Sequence, residues 1–205
     1  MKSWDVIVIG SGAAGFAAAV TACCKGLSVL MLEKAPQFGG TSAISGGAVW
    51  IHDSDQARKK AAGGSPQEIE TYLRTIIGEP HYRQDLVDAF IASGREALAF
   101  LEKEGAVKYS LRPLSPDYYP DEPGAVDVGR ALEVVEFDGR ELGEHFRDLR
   151  SPPPGMLLFG GMMVNRVDIQ HFLDMRRSLS AFAHCGRLLL RFGRDRLRYP
   201  RGTRL

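Results

Sequence analysis

Residues 5–15 read Asp5-Val6-Ile7-Val8-Ile9-Gly10-Ser11-Gly12-Ala13-Ala14-Gly15, and a second apolar run, Leu27-Ser28-Val29-Leu30-Met31-Leu32, closes on Glu33 and Lys34. A Val/Ile run entering spaced glycines predicts a strand over 5–9, a helix over 14–25 and a second strand over 27–32, with Gly26 ending the helix. Each glycine has a mechanical reason to be there. Gly10 allows the tight turn, Gly12 lets backbone approach a pyrophosphate, and Gly15 with Ala19 lets the helix lie close to the sheet. Free backbone amides in the first helical turn and the aligned peptide dipoles then both favour an anion at the start of the helix. Glu33 follows Gly15 at close to the roughly 20 positions that carry a carboxylate to a ribose. It would accept from ribose hydroxyls and repel a 2′-phosphate, so the pattern points to an adenine dinucleotide and disfavours an NADP-type cofactor.

The next segment, Gly39-Gly40-Thr41-Ser42-Ala43-Ile44-Ser45-Gly46-Gly47, decides between a nicotinamide and a flavin. Two glycine pairs bracket a short helical turn with Thr41 or Ser42 at its N-cap, which offers hydroxyls and backbone donors to a second polar part of a long cofactor. An NAD domain has little use for such a loop. The expected cofactor is therefore FAD, contacted by Gly10, Ser11, Gly12, Ala13, Ala14, Gly15, Glu33, Lys34, Gly39, Gly40, Thr41, Ser42, Ser45, Gly46 and Gly47.

With these residues in view, the chain resembles the flavoprotein family that contains fumarate reductase, succinate dehydrogenase and the 3-oxosteroid dehydrogenases, the FAD-dependent oxidoreductase 2 family. It most resembles the steroid dehydrogenase branch. Thr41 to Gly47 leading into Trp50-Ile51, then Asp117-Tyr118-Tyr119-Pro120, and Phe159-Gly160-Gly161-Met162-Met163 carry that preference. Members with covalent FAD have a histidine immediately before the position of Thr41, where this chain has Gly40, so the resemblance implies noncovalent FAD. It also implies removal of hydrogens beside a carbonyl: a base takes a proton, the neighbouring carbon gives hydride to the flavin, and an alkene forms. The implied partners are a small-molecule substrate of the 3-oxosteroid kind and an unidentified electron acceptor. Tyr118 and Tyr119 are the candidate catalytic residues, either of which could relay a proton or donate to an enolate. A fumarate reductase-like flavoprotein, or an FAD-binding module without turnover, are the alternatives.

The 205 residues, 44% hydrophobic and with a net charge of +1, suit an ordinary globular chain and argue against nucleic acid as a main partner. Arginines at 187, 191, 194, 196, 198, 201 and 204 read as the solvated face of an amphipathic helix and its exit. Asp5 and the spaced glycines argue against a secretory signal, and no apolar stretch is long enough to span a bilayer. Cys23, Cys24 and Cys185 have no metal spacing and read as small buried hydrophobes in a reducing, cytoplasmic setting.

The expected fold class is α/β: a Rossmann-like FAD-binding βαβ unit in residues 1–52, then a mostly helical α+β insertion in 53–205. Helices are expected over 54–62, 66–77 and 82–104, the last with Leu86, Phe90, Ala97, Leu98 and Leu101 facing a core. Residues 107–154 read as irregular loops with small antiparallel pieces at 107–111 and 131–137, and 168–192 as one helix. His52 reads as a surface loop residue, and His171 and His184 as helix residues without a role. The ending, Tyr199 to Leu205, reads as a mid-domain sequence cut short. The sheet is accordingly expected to be incomplete and the chain to lack the family's C-terminal catalytic part.

Overall fold

The structure, a computed structural model, describes residues 2–198. By contacts the chain divides into one unit of Met1–Leu32 with Ser45–Glu136 and a second of Glu33–Ile44 with Phe137–Leu205.

The first unit opens with β1 (Val6–Ile9), α1 (Ala13–Cys24) and β2 (Val29–Leu32). β1 and β2 pair in parallel, Val6 opposite Val29 through Ile9 opposite Leu32. The register is pinned at its start, because the Asp5 carboxylate accepts from the Ser28 amide at 2.9 Å and the Ser28 hydroxyl at 2.6 Å. Side chains alternate across a strand, so Val8 turns toward α1 and is buried while Ile7 and Ile9 lie on the opposite face and are exposed.

The same unit continues through β3 (Val49–Trp50), α2 (Asp55–Arg58), α3 (Pro66–Ile77), α4 (Gln84–Lys103), β4 (Tyr109–Leu111) and β5 (Ala131–Val134). The last sheet is antiparallel in the order β3-β5-β4. α3 starts where the sequence signals it. Ser65 accepts from the Glu68 amide, Glu68 accepts from the Ser65 amide, and Pro66 occupies the first turn. Ala57, Ile69, Tyr72, Val87, Leu98 and Leu132 form its core. Burying a side chain such as Ile69 is worth about 1.5–3 kcal/mol.

In the second unit, Phe38 exchanges backbone hydrogen bonds with Asp148 and Arg150, at 2.8 and 2.9 Å. A single 3-10 turn spans Ser42–Ile44, and a longer 3-10 stretch over Gly139–Asp148 bends at Gly143. α5 (Arg166–Asp174) and α6 (Leu179–Arg198) pack together around Met162, Ala181, Cys185 and Leu188.

Several expectations are corrected. The helix expected over 54–62 is one turn, α2, capped by Ser54. α4 buries Val87 and Leu98, whereas Leu86 is 60% exposed and Ala97 is also exposed. The single terminal helix is two: an Asn165 capping box starts α5, and after Asp174 the chain turns, with the Ser178 hydroxyl accepting from Ala181 as α6 begins. α6 also continues past Phe192 to Arg198. Cys23 and Cys24 are exposed and only Cys185 is buried, because they fall in the last turn of α1, a helix that buries none of its residues. Arg187, Arg191, Arg194, Arg196 and Arg198 lie on the surface of α6 as expected. Arg201, Arg204 and the Tyr199 to Leu205 ending lie outside the described residues. Among the described residues no helix is long and apolar enough to cross a membrane.

Candidate functional site

The β1–α1 elbow is built for close approach. Gly10 has φ +95°, a conformation side chains disfavour, and its amide donates to the Leu32 carbonyl at 2.8 Å. A Cβ on Gly15 would stand 1.9 Å from the Gly10 carbonyl oxygen, so a side chain there would force the helix off the turn. The α1 N-cap is Gly12, no side chain caps that helix end, and its first turn holds no acidic residue. The residues therefore fit a diphosphate: the first-turn amides and the helix dipole favour an anion, and no carboxylate opposes it. Ser11 is buried within the turn. Ala13 and Ala14 form the first turn of α1.

Of the other expected cofactor residues, Ser45, Gly46 and Gly47 belong to the same unit as the elbow. The Ser45 hydroxyl accepts from the Gly47 amide at 3.1 Å, and Gly47, at φ +66°, packs against Val134. Glu33, Lys34, Gly39, Gly40, Thr41 and Ser42 belong to the second unit. There the Glu33 carboxylate accepts from the Ala35 amide at 3.0 Å, which orients it, and the Ala43 amide donates to the Gly39 carbonyl at 3.0 Å.

Tyr118 and Tyr119 border a cavity of about 380 Å³ within the first unit, walled by Trp50, Tyr72, Leu73 and Ile76. Tyr118 is 94% exposed and Tyr119 59% exposed, so both phenols are free to meet a ligand. Trp50 lies stacked on Phe90 with ring centres 6.1 Å apart, and the Tyr119 amide donates to the Tyr72 hydroxyl at 3.2 Å. The second unit has a cavity of about 500 Å³ whose ionisable lining groups are Arg150 and Arg196. Both are cations, and neither is suited to act as a base.

Sequence reasoning missed the polar group behind the aromatic cavity. Arg130, at the start of β5, is buried, and its Nη1 donates to Asp117 Oδ2 at 2.7 Å while its Nε donates to the Gly63 carbonyl at 3.1 Å. Its guanidinium stands 5.6 Å from the ring centres of both Trp50 and Tyr72, within cation–π range. In the sequence Asp117 stood out only as the first residue of Asp117-Tyr118-Tyr119-Pro120, and an arginine inside Gly129-Arg130-Ala131-Leu132 was the one available hint. His52 is corrected as well: it is buried, because the turn after β3 folds inward beside Gly63. Burial first and the Arg130 charge second push its pKa below the usual histidine value. His184 Nε2 pairs with Asp168 Oδ1 at 2.7 Å and its ring lies 4.2 Å from that of His171.

The sequence model of the FAD binding domain family matches residues 5–192. The chain is 37% identical over 169 residues to 3-oxosteroid 1-dehydrogenase of Mycolicibacterium smegmatis, covering 82% of this chain and 28% of that protein. It is 39% identical over 197 residues to 4-oxocyclohex-2-ene-1-carboxylate 5-dehydrogenase of Sinomonas cyclohexanicum, covering 96% of this chain and 33% of that one. Among solved structures it superposes on 3-ketosteroid delta1-dehydrogenase from Sterolibacterium denitrificans, in complex with 1,4-androstadiene-3,17-dione, with a TM-score of 0.79 and 33% identity. That superposition covers 98% of this chain and 34% of the other. The chain thus spans about a third of the length of these relatives. Its mixture of helices and sheets matches the fold of that steroid dehydrogenase, and the cofactor inferred from the glycines agrees with the family matched. The chain belongs to the FAD binding domain family, and its cofactor is FAD.

Proposed function

We propose that this chain is the FAD-holding part of a dehydrogenase that removes two hydrogens beside the carbonyl of a cyclic ketone, a 3-oxosteroid. The observation that carries the reading is the aromatic cavity bordered by Tyr118 and Tyr119, in a chain whose relatives act on 3-oxosteroids and oxocyclohexene acids by name. Flat apolar rings suit walls of Trp50, Tyr72, Leu73 and Ile76.

In this reading residues 1–52 are the N-terminal part of a Rossmann-like FAD-binding domain and 53–205 lead into the substrate region. Ser11, Gly12, Ala13 and Ala14 hold the diphosphate through backbone amides, Gly10 and Gly15 shape the turn that receives it, and Glu33 takes the ribose hydroxyls. Lys34, Gly39, Gly40, Thr41, Ser42, Ser45, Gly46 and Gly47 hold the remainder. Gly40, in the place of a linking histidine, leaves FAD noncovalent. Bound FAD supplies the hydride acceptor. A phenol of Tyr118 or Tyr119 donates a hydrogen bond to the developing enolate oxygen or relays the proton released beside it. The cavity walls orient the ring beside that phenol.

The experiment is direct. The purified chain should be yellow and release FAD on denaturation, and any dye-coupled oxidation of a 3-oxosteroid that it supports should fall by about 10²–10⁴ in Tyr119→Phe or Tyr118→Phe. A colourless, folded product would sink the cofactor assignment. Bound FAD with no turnover would favour a binding module, and turnover of a dicarboxylate in place of a steroid would favour the fumarate reductase-like alternative.

A further inference from the structure

We propose that Asp117 is a positioning residue, whose buried carboxylate fastens the wall residue Trp50 and the Tyr118–Tyr119 segment to the buried guanidinium of Arg130. The inference rests on the reading that the cavity beside these residues receives the substrate ring.

The Asp117 carboxylate gathers three donors from two stretches of chain. Oδ1 accepts from Trp50 Nε1 at 2.8 Å, while Oδ2 accepts from Arg130 Nη1 at 2.7 Å and from the Val126 amide at 3.1 Å. Its own amide donates back to the Val126 carbonyl at 3.0 Å. Two residues further on, the Tyr119 amide donates to the Tyr72 hydroxyl on α3. Arg130 stands behind both Trp50 and Tyr72 and is tied to the Gly63 carbonyl. Two cavity walls and the tyrosine segment are therefore fixed to one ion pair.

The glycines around it show how closely the segment is seated. A Cβ on Gly124 would stand 2.1 Å from the Glu68 carbonyl oxygen, and one on Gly129 would stand 2.1 Å from the Gly63 nitrogen. Backbone contact at both positions leaves the 117–130 segment little freedom. A hydrophobic pair of similar volume would stabilise such a place at least as well as an ion pair does, since desolvating two charges is costly. What a hydrophobic pair lacks is direction. The indole N–H of Trp50 has one orientation that meets Oδ1, and that orientation sets the plane of the wall.

The FAD-loaded full chain with Trp4→Phe leaves Trp50 as its one tryptophan, and 1,4-androstadiene-3,17-dione serves as the probe. Quenching of Trp50 emission reports its binding. Asp117→Asn keeps an acceptor for Trp50 but loses the charge facing Arg130, and probe affinity should fall about tenfold. Asp117→Asn with Arg130→Met removes both charges, so the urea midpoint should recover while affinity stays low. Affinity that recovers with the midpoint, or a single variant that binds like the parent, overturns the proposal. If Asp117→Asn does not fold, the double variant decides alone. If the parent itself does not bind the probe, the substrate reading fails, and iodide quenching of Trp50 decides the positioning claim: a rise of about twofold in the Asp117 variants supports it, because a released segment admits the quencher, and unchanged quenching overturns it.

Discussion

Arg130 Nη1 and Asp117 Oδ2 meet at 2.7 Å with 1% and 2% of their side chains exposed, a fully desolvated ion pair inside the first unit. Such a pair is costly to half remove. Arg130→Met should destabilise the chain by about 3–5 kcal/mol, since Asp117 would keep a buried charge with only neutral donors around it. Urea denaturation followed by far-UV dichroism measures the loss, and a change under about 1 kcal/mol would mean that water reaches Asp117.

Gly15→Ala should empty the cofactor elbow while leaving α3 and α4 in place. The added methyl would meet the Gly10 carbonyl at 1.9 Å, so the helix start must move away from the turn that receives the diphosphate. FAD affinity, followed by flavin fluorescence on titration, should drop at least tenfold, about 1.4 kcal/mol. Unchanged affinity would show that the diphosphate lies elsewhere.

Ser65→Ala removes the N-cap of α3 and half of its capping box. The expected cost is about 1 kcal/mol, read as a lowered thermal midpoint. Glu68 responds too. Its carboxyl is held below the usual value by the Ser65 amide and then by the Ser65 hydroxyl, so NMR titration of the variant should show it moving back up.

His52 should make stability depend on mildly acidic pH. Its folded pKa lies below the unfolded value of about 6.5, so the unfolded chain binds more protons in that window. The contribution is fully present above about pH 6.5 and is lost as pH falls from there toward the folded pKa. Urea midpoints measured between about pH 7.5 and 5 should fall for the parent and flatten for His52→Gln. Parallel curves would assign the effect to another group.

The elbow was legible in the chain because every part of it is local. Gly10, Gly12 and Gly15 act on their own turn, the Val/Ile runs declare their own strands, and Ser65-Pro66 with Glu68 declares the start of α3 at the position where it occurs. The terminal helix was harder. Its apolar periodicity runs on across residues 175–178, and the break comes from hydrogen bonds of Arg177 and Ser178 to the Asp174 carbonyl that no composition signal marks. Leu86 illustrates the same limit, since the spacing that makes a stripe does not say which edge of that stripe a neighbouring element will cover.

By itself the sequence determined that a dinucleotide turn opens the chain and that a flavin is what it holds, because glycine sterics and helix dipoles operate over a few neighbouring residues. Only the tertiary structure decided what stands around Tyr118 and Tyr119. Trp50 and Asp117 are 67 positions apart, and Gly63 and Arg130 likewise. They meet because β3 pairs with β5, which takes the Asp117–Arg130 pair out of water, while burial of His52 disfavours its charged form. Such selection depends on which chain segments exclude water together, a property no local run of residues contains.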